Sequence, residues 1–203
     1  DLGCHTGTIS DAFLELYKAG KLTNAHKELD TGLSAWNLAM GSQELYDWLD
    51  AEPQLFHPGD LDYIHSVERI SKFSNVISIN GGVQLDLMGQ ENAESIGTRQ
   101  LSGVGGQMDF LEGAYRSKGG KGFICINSSR VTKDGERKSN ILATIPGGST
   151  ISAPRTMIQY VATEYGIASL SGKTLRERAE AMASIAHPDF REELMKYAQE
   201  NFK

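Results

Sequence analysis

The sequence predicts an α/β protein. Short apolar runs of strand character, such as residues 75–79 and 122–126, alternate with stretches whose apolar residues recur at helical spacing. Glycine points the same way. The chain has 22 glycines in 203 residues, above an average usage of roughly 7%. They gather at the ends of the apolar runs, where tight turns and close backbone approach are required. With 39% hydrophobic and 23% charged residues, the chain is globular in composition, and at this length it buries roughly 70% of its unfolded surface without a disulfide or metal staple. No repeat, low-complexity tract or linker interrupts it, so one domain over residues 1–203 is expected.

The elements follow in order. Ser10 is placed to cap a helix through Lys18, with Phe13, Leu14, Leu16 and Tyr17 inward and Gly20 ending it. Ser42 caps a second helix through Asp50, stopped by Pro53. Residues 53–66 read as a long loop. Asn75 to Ile79 reads as a strand, and Val83, Leu85 and Leu87 alternate with Gln84 and Asp86 as in a half-buried strand. Asn80-Gly81-Gly82 between them is a hairpin signal. Residues 89–106 are polar and glycine-rich and read as loop, with Glu91 and Glu94 solvated. Gln107 to Arg116 is expected to be a short helix.

Strands are expected at Gly122 to Ile126, Ile141 to Ile145 and Tyr160 to Thr163, with Asp134-Gly135 as a turn signal between the first two. Leu175, Ala179, Met182, Ala183 and Ile185-Ala186 keep the 3.6-residue period until His187-Pro188 breaks it. Asp189 and Glu192 resemble a capping box for a last helix carrying Phe190, Leu194, Tyr197 and Ala198. Lys173, Arg176, Glu177, Arg178 and Glu180 read as the wet face of the helix before it.

Charge and composition exclude several classes. The net charge of −6 argues against a nucleic-acid partner, which demands a basic face. No apolar run approaches the ~20 residues that span a bilayer, so no membrane association is expected. Cys4 and Cys125 stand far apart without a CxxC partner, which excludes a disulfide framework or a cysteine-based zinc site by pattern. A reducing, cytoplasmic setting is the simplest reading. The chain opens Asp1-Leu2-Gly3-Cys4 with no initiator methionine, and reads as a piece of something longer.

The loop Ser102-Gly103-Val104-Gly105-Gly106-Gln107-Met108 is the strongest local feature. Glycines let backbone amides face an anion or a developing oxyanion, and a tight turn before a helix is the plainer use of the same residues. The dinucleotide fingerprint fails because Met108 stands where its third glycine belongs, which disfavours a nucleotide-dependent dehydrogenase. The phosphate loop fails because no Gly-Lys-Ser/Thr follows. His5, His26, His57, His65 and His187 form no HxH or HExxH pattern, so a metal site has no support. His5 lies beside Thr6 and Gly7 just before a helix. It reads either as a hydrogen-bonded loop histidine or as a catalytic group. Glu164, ending an apolar segment, reads either as solvated or as a carboxylate that orients substrate or acts as a base.

Several stretches, in this order, carry a family resemblance: Gln84-Leu85-Asp86-Leu87-Met88-Gly89-Gln90 with Glu94-Ser95-Ile96-Gly97, the glycine loop through Asp109-Phe110, Thr163-Glu164-Tyr165-Gly166-Ile167-Ala168, and Gly172-Lys173-Thr174-Leu175-Arg176-Glu177-Arg178-Ala179 with Ile185-Ala186-His187-Pro188-Asp189-Phe190. Together they resemble the C-terminal domain of the acetyl-CoA hydrolase/transferase family, which includes 4-hydroxybutyrate CoA-transferase. The resemblance implies an α/β CoA-transferase-like fold (NagB/RpiA/CoA-transferase-type), with a mixed sheet flanked by helices. It also implies an N-terminal domain absent from this chain and an active site between the two domains. Coenzyme A would be a substrate, with no metal. The partners would be an acyl-CoA and a small carboxylate, and a homodimer is compatible with the family.

In such enzymes a glutamate attacks the thioester, forming an acyl-glutamyl anhydride and then a glutamyl-CoA thioester. Carried over residue by residue, the resemblance makes Gly103, Val104, Gly105, Gly106 and Gln107 the CoA-facing loop. Asn80 and Glu164 become polar groups that orient and tune. The nucleophile does not carry over: in Gly3-Cys4-His5-Thr6-Gly7-Thr8-Ile9-Ser10-Asp11, Gly7 holds the position where the family has its glutamate. Three functions follow as expectations. They are CoA transfer, hydrolysis of acyl-CoA with Glu164 or His5 activating a water, and CoA binding without turnover.

Overall fold

The structure is a computed structural model that describes residues 1–202. The chain folds as two compact units, residues 1–76 with 116–120, and residues 77–115 with the chain from 121 onward. The fold is mixed α/β in both.

The first unit is a parallel βαβαβ arrangement. Strand β1 (His5–Ile9) leads into helix α1 (Asp11–Lys18), then β2 (Ser34–Ala39), α2 (Gln43–Ala51) and β3 (Phe56–Pro58), and two single-turn helices follow, α3 (Leu61–Ile64) and α4 (Val67–Ile70). The strands lie in the order β1-β2-β3, all parallel, with His5 opposite Ala35 and Ser34 opposite Phe56. Ser10 and Ser42 both stand at the N-cap positions of their helices, but only Ser42 caps with its side chain, its hydroxyl accepting the Leu45 amide; the Ser10 side chain makes no capping hydrogen bond. Leu14, Leu45 and Trp48 then turn inward onto Cys4, Ile9 and Phe56 to form the core. The stretch 53–66 is not the loop the sequence suggests. It holds β3 and α3, because Phe56 is buried against Trp48 with ring centroids 4.8 Å apart.

The second unit is built on a four-stranded sheet. Its strands β4 (Ile77–Gly81), β9 (Lys121–Cys125), β13 (Tyr160–Thr163) and β14 (Gly166–Ser169) lie in the order β14-β13-β9-β4. The first three are parallel and β14 returns antiparallel. Between β4 and β9 the chain passes through β5 (Gln84–Asp86), β6 (Glu91–Asn92), β7 (Ser95–Ile96), β8 (Arg99–Gln100) and helix α5 (Gln107–Arg116). Between β9 and β13 lie β10 (Ser129–Val131), β11 (Arg137–Ser139) and β12 (Ile141–Leu142). Helices α6 (Leu175–Ser184) and α7 (Pro188–Asn201) close the chain. Leu85, Leu87, Leu111, Ile124, Ile141, Val161, Leu170, Met182 and Leu194 form its core.

Several sequence expectations are corrected here. Asn80-Gly81-Gly82 makes no hairpin: β4 pairs with β9, whereas β5 pairs with β12 and β6 in a separate sheet. Gln84, Leu85, Asp86 and Leu87 do not alternate between core and solvent, since all four are buried. Asp86 is satisfied there by the amide and side chain of Gln90, at 2.9 and 2.7 Å. The Asp134-Gly135 turn is real, but it joins β10 to β11. Helix α7 is capped by His187, whose Nδ1 accepts the Asp189 amide, and not by an Asp189–Glu192 box.

Arg178 does not belong to a wet helix face. It is buried on α6 and donates to the carbonyls of Met88, Leu170 and Arg155, each at 2.8 Å. A real capping box does open α6, between Thr174 and Glu177.

Candidate active site

Parallel strands carry ligand sites at their carboxyl ends, where the chain leaves the sheet and amides and side chains converge. In the second unit that edge is formed by the ends of β4, β9 and β13. Asn80 sits near the end of β4, opposite Ile124 of β9, and Glu164 directly follows β13. One strand, β9, separates them. Asn80 is half-buried and its amide nitrogen donates to the Ser78 hydroxyl at 2.8 Å, which fixes the side chain from within the same strand.

Glu164 is held from β9's continuation. Ser128, fully buried, donates its amide to one carboxylate oxygen at 2.9 Å and its hydroxyl to the other at 2.6 Å. Partial burial pushes the Glu164 carboxyl up, but the two Ser128 hydrogen bonds outweigh it and hold the group below the usual carboxylate range. Glu164 is therefore an ionised, oriented carboxylate at neutral pH. Sequence reading did not single out Ser128. Its only trace is its position three residues after the apolar strand, in Asn127-Ser128-Ser129.

The glycine loop leads into helix α5. Gln107, the first residue of α5, bonds to Glu91, whose Oε1 lies 2.7 Å from where a Cβ on Gly82 would stand, so the start of α5 lies near the residue that follows β4. Leu111 packs the helix onto β9 so closely that a Cβ at Gly122 would come within 2.9 Å of Leu111 Cδ2. Gly103, Val104 and Gly105 are exposed in front of α5, Gly105 has a left-handed φ of 60°, and a Cβ on Gly103 or Gly105 would meet only open space. The amides of Gly103, Val104 and Gly105 donate to no other group among the described residues. Open, unpaired amides ahead of a helix N-terminus suit a carbonyl oxygen or phosphate.

Gln107 occupies a different place from the rest of the loop. Its side-chain nitrogen donates to Oε2 of Glu91 in a short contact. Glu91 and Glu94, expected to be solvated, are both buried, Glu91 completely. Burial pushes the Glu91 carboxyl up to about 8, against the lowering pull of Gln107 and with a smaller push from Glu94. Glu91 Oε1 meets no hydrogen-bond partner and faces Gly82, where a Cβ would lie 2.7 Å away.

His5 and Gly7 belong to the first unit, on β1. Nε2 of His5 donates to the Ile64 carbonyl at 2.8 Å, and its ring lies 5.0 Å from that of Phe73. Burial is the main reason its pKa falls to about 4, so the imidazole is neutral at physiological pH. Gly7 is half-buried in the middle of the strand. Among the described residues no group of three or more His, Cys, Asp or Glu side chains is placed to hold a metal ion.

Comparison with known proteins gives this geometry its context. The family model for the acetyl-CoA hydrolase/transferase C-terminal domain matches residues 41–198. The chain is 44% identical over 199 residues to a butyryl-CoA:acetate CoA-transferase of Anaerostipes caccae, covering 98% of this chain and 44% of that protein. It is 45% identical over 202 residues to a 4-hydroxybutyrate coenzyme A transferase of Clostridium kluyveri, covering all of this chain and 46% of that one. Among solved structures, RipA from Yersinia pestis superposes with a TM-score of 0.88 at 38% identity, over 98% of this chain and 44% of RipA. The chain thus spans less than half the length of the relatives it matches. On the strength of the family match over most of its length, the chain belongs to the acetyl-CoA hydrolase/transferase C-terminal domain family.

Proposed function

We propose that this chain is the C-terminal, CoA-handling part of an enzyme that moves coenzyme A between an acyl-CoA and a small carboxylate. Three observations support the reading: the unpaired amides of Gly103 to Gly105 ahead of α5, the oriented carboxylate of Glu164 directly after β13, and the side-chain amide of Asn80 near the end of β4. In this reading the loop amides receive the thioester carbonyl oxygen and stabilise the charge that grows on it. Glu164 and Asn80 orient the reacting groups, and CoA binding energy remote from the carbonyl helps drive the step.

The remaining half of the site would come from an N-terminal domain. One face of the four-stranded sheet supports this: Ile77 and Ile79 of β4 and Ile167 of β14 are 53%, 69% and 63% exposed, and Ile79 is in register with Phe123, which is in register with Tyr160. So large an apolar face is one that another domain would cover.

Gly7 favours a second reading. A glycine cannot form an anhydride, so where it holds the nucleophile position water would have to replace the carboxylate, giving hydrolysis, or the site would bind CoA without turnover. The experiment is to assay the full-length protein with acetyl-CoA, butyryl-CoA and 4-hydroxybutyryl-CoA against a panel of short carboxylates, as the wild type and as Gly7→Glu. Acyl exchange that appears or rises in Gly7→Glu supports the transferase reading. Thiol release without acceptor supports hydrolysis, and no exchange by either protein counts against transfer.

A further inference from the structure

Gly103, Gly105 and Gly106 have no side chains to hold them, yet amides that stabilise an oxyanion must be fixed before the charge develops. The loop's two ends show how it is held. At its start, the Glu94 carbonyl accepts the amides of Leu101 at 2.7 Å and Ser102 at 3.3 Å. The Glu94 carboxylate accepts from Gln100 Nε2 at 3.1 Å, and that same nitrogen donates to the Ser102 carbonyl at 2.7 Å. At its end, Gln107 is the first residue of α5, and its side chain is bound to Glu91.

Both glutamates are themselves pinned. Ser152 donates its hydroxyl to Glu94 Oε1 at 2.8 Å. Glu91 exchanges backbone hydrogen bonds with Ser152 and Ala153, and Asn92 between them ties Glu94 and Ser95 by their amides. We propose that Glu91 and Glu94 are positioning residues for the acyl-CoA site, holding the loop 103–106 from its two ends, with Glu91 acting as a neutral acid paired to the Gln107 amide. The catalytic part of this statement rests on the function proposed above; the loop-holding part does not.

The surroundings explain why Glu91 is neutral. Against it stand Gly82 after β4, Ile124 of β9, Leu85 of β5, Gln107 of α5 and the backbone of Ser152 and Ala153, all uncharged, and the charge it feels is that of Glu94. A carboxylate with one oxygen unpaired in such a place loses far more hydration than a single amide returns. As an acid, the group can donate an O–H from Oε2 to the Gln107 amide oxygen with that amide turned over, since an amide offers both donor and acceptor. Ionisation removes that donor, sets a charge against Glu94 and strengthens the hydrogen bond that Gln107 donates, so the hold on α5's first residue changes as pH rises through about 8.

The test reads the loop directly. Amide shifts of Gly103, Gly105 and Gly106 are followed by NMR from pH 6.5 to 9.5 in this 203-residue chain, as the wild type, Glu91→Gln and Gln107→Met. The expected result is a common titration of the three amides near pH 8 in the wild type. Glu91→Gln should abolish it, and Gln107→Met should uncouple the loop from it. Loop amides that do not titrate in the wild type, or that titrate unchanged in Glu91→Gln, overturn the proposal, and the wild-type arm decides even where a variant fails to fold. In the full-length protein, Glu91→Gln should remove the change of kcat/KM that the wild type shows as pH rises through about 8. Titration of the loop in a protein without acyl-CoA activity would refute the function and leave the loop anchor standing.

Discussion

Ser128 gives Glu164 two hydrogen bonds, one from its amide and one from its hydroxyl, to the two oxygens of one carboxylate. That pairing turns a surface glutamate into a fixed, ionised group beside the sheet's carboxyl edge. Ser128→Ala deletes the hydroxyl contact and leaves the amide. The Glu164 pKa, followed by carbon-13 NMR, should rise toward the ordinary glutamate value. Stability should fall by only about 1 kcal/mol, since the carboxylate is solvent-exposed. An unchanged Glu164 pKa would show that the serine does not hold it.

Arg178 fastens three separate segments by its contacts to the carbonyls of Met88, Arg155 and Leu170. Gly89 is required beside it: its φ is 83°, and a Cβ there would lie 2.7 Å from the guanidinium. Arg178→Met should cost about 3 kcal/mol by urea unfolding, because three carbonyls, that of Leu170 buried and those of Met88 and Arg155 partly so, lose their donor. Arg178→Lys should recover little of it, since a single ammonium cannot span the same fork. A loss below about 1 kcal/mol in Arg178→Met would mean that water replaces the clamp.

The two buried titrating groups give opposite pH dependences. His5 has its pKa lowered to about 4, so the unfolded chain binds its proton first. Its contribution is complete above the unfolded value near 6.5 and is lost as pH falls toward 4, about 3 kcal/mol at ~1.4 kcal/mol per unit. Glu91 has its pKa raised to about 8, so the folded chain binds the extra proton. Its contribution is complete below pH 4.5 and falls as pH rises to about 8. Urea midpoints measured from pH 4 to 9 should show Glu91→Gln flattening the alkaline decline and His5→Gln flattening the acid one. Parallel curves for wild type and variants would contradict both assignments.

The legible parts of the fold are those where one signal dominates. Ser42 before Leu45 and Trp48, the 3.6 period of α6 and Tyr160 to Thr163 as a strand all have short-range causes. Strand β1 was illegible because His-Thr-Gly-Thr is polar; it is a strand through its parallel partner β2, which local pattern does not contain. The segment from Gln84 to Leu87 showed the period of a half-buried strand, but Gln90 satisfies Asp86 and removes the need for solvent. Of the proposed site, the glycine loop and Glu164 are candidates from the residues themselves, and Asn80 enters through the family resemblance alone. Glu91 and Glu94 were not legible, because a polar run normally lies in water, and only the partners from Gln107 and Ser152, 16 and 58 residues away, make their burial tolerable.

The central claim is that the amides from Gly103 to Gly106 receive an acyl-CoA that Asn80 and Glu164 orient. The direct measurement is amide chemical-shift mapping of the 203-residue chain during titration with acetyl-CoA. Saturable shifts centred on Gly103, Val104, Gly105 and Gly106, with Asn80 and Glu164 following, are the predicted result. Saturable shifts that fall elsewhere in the chain and leave these residues unmoved would contradict the account.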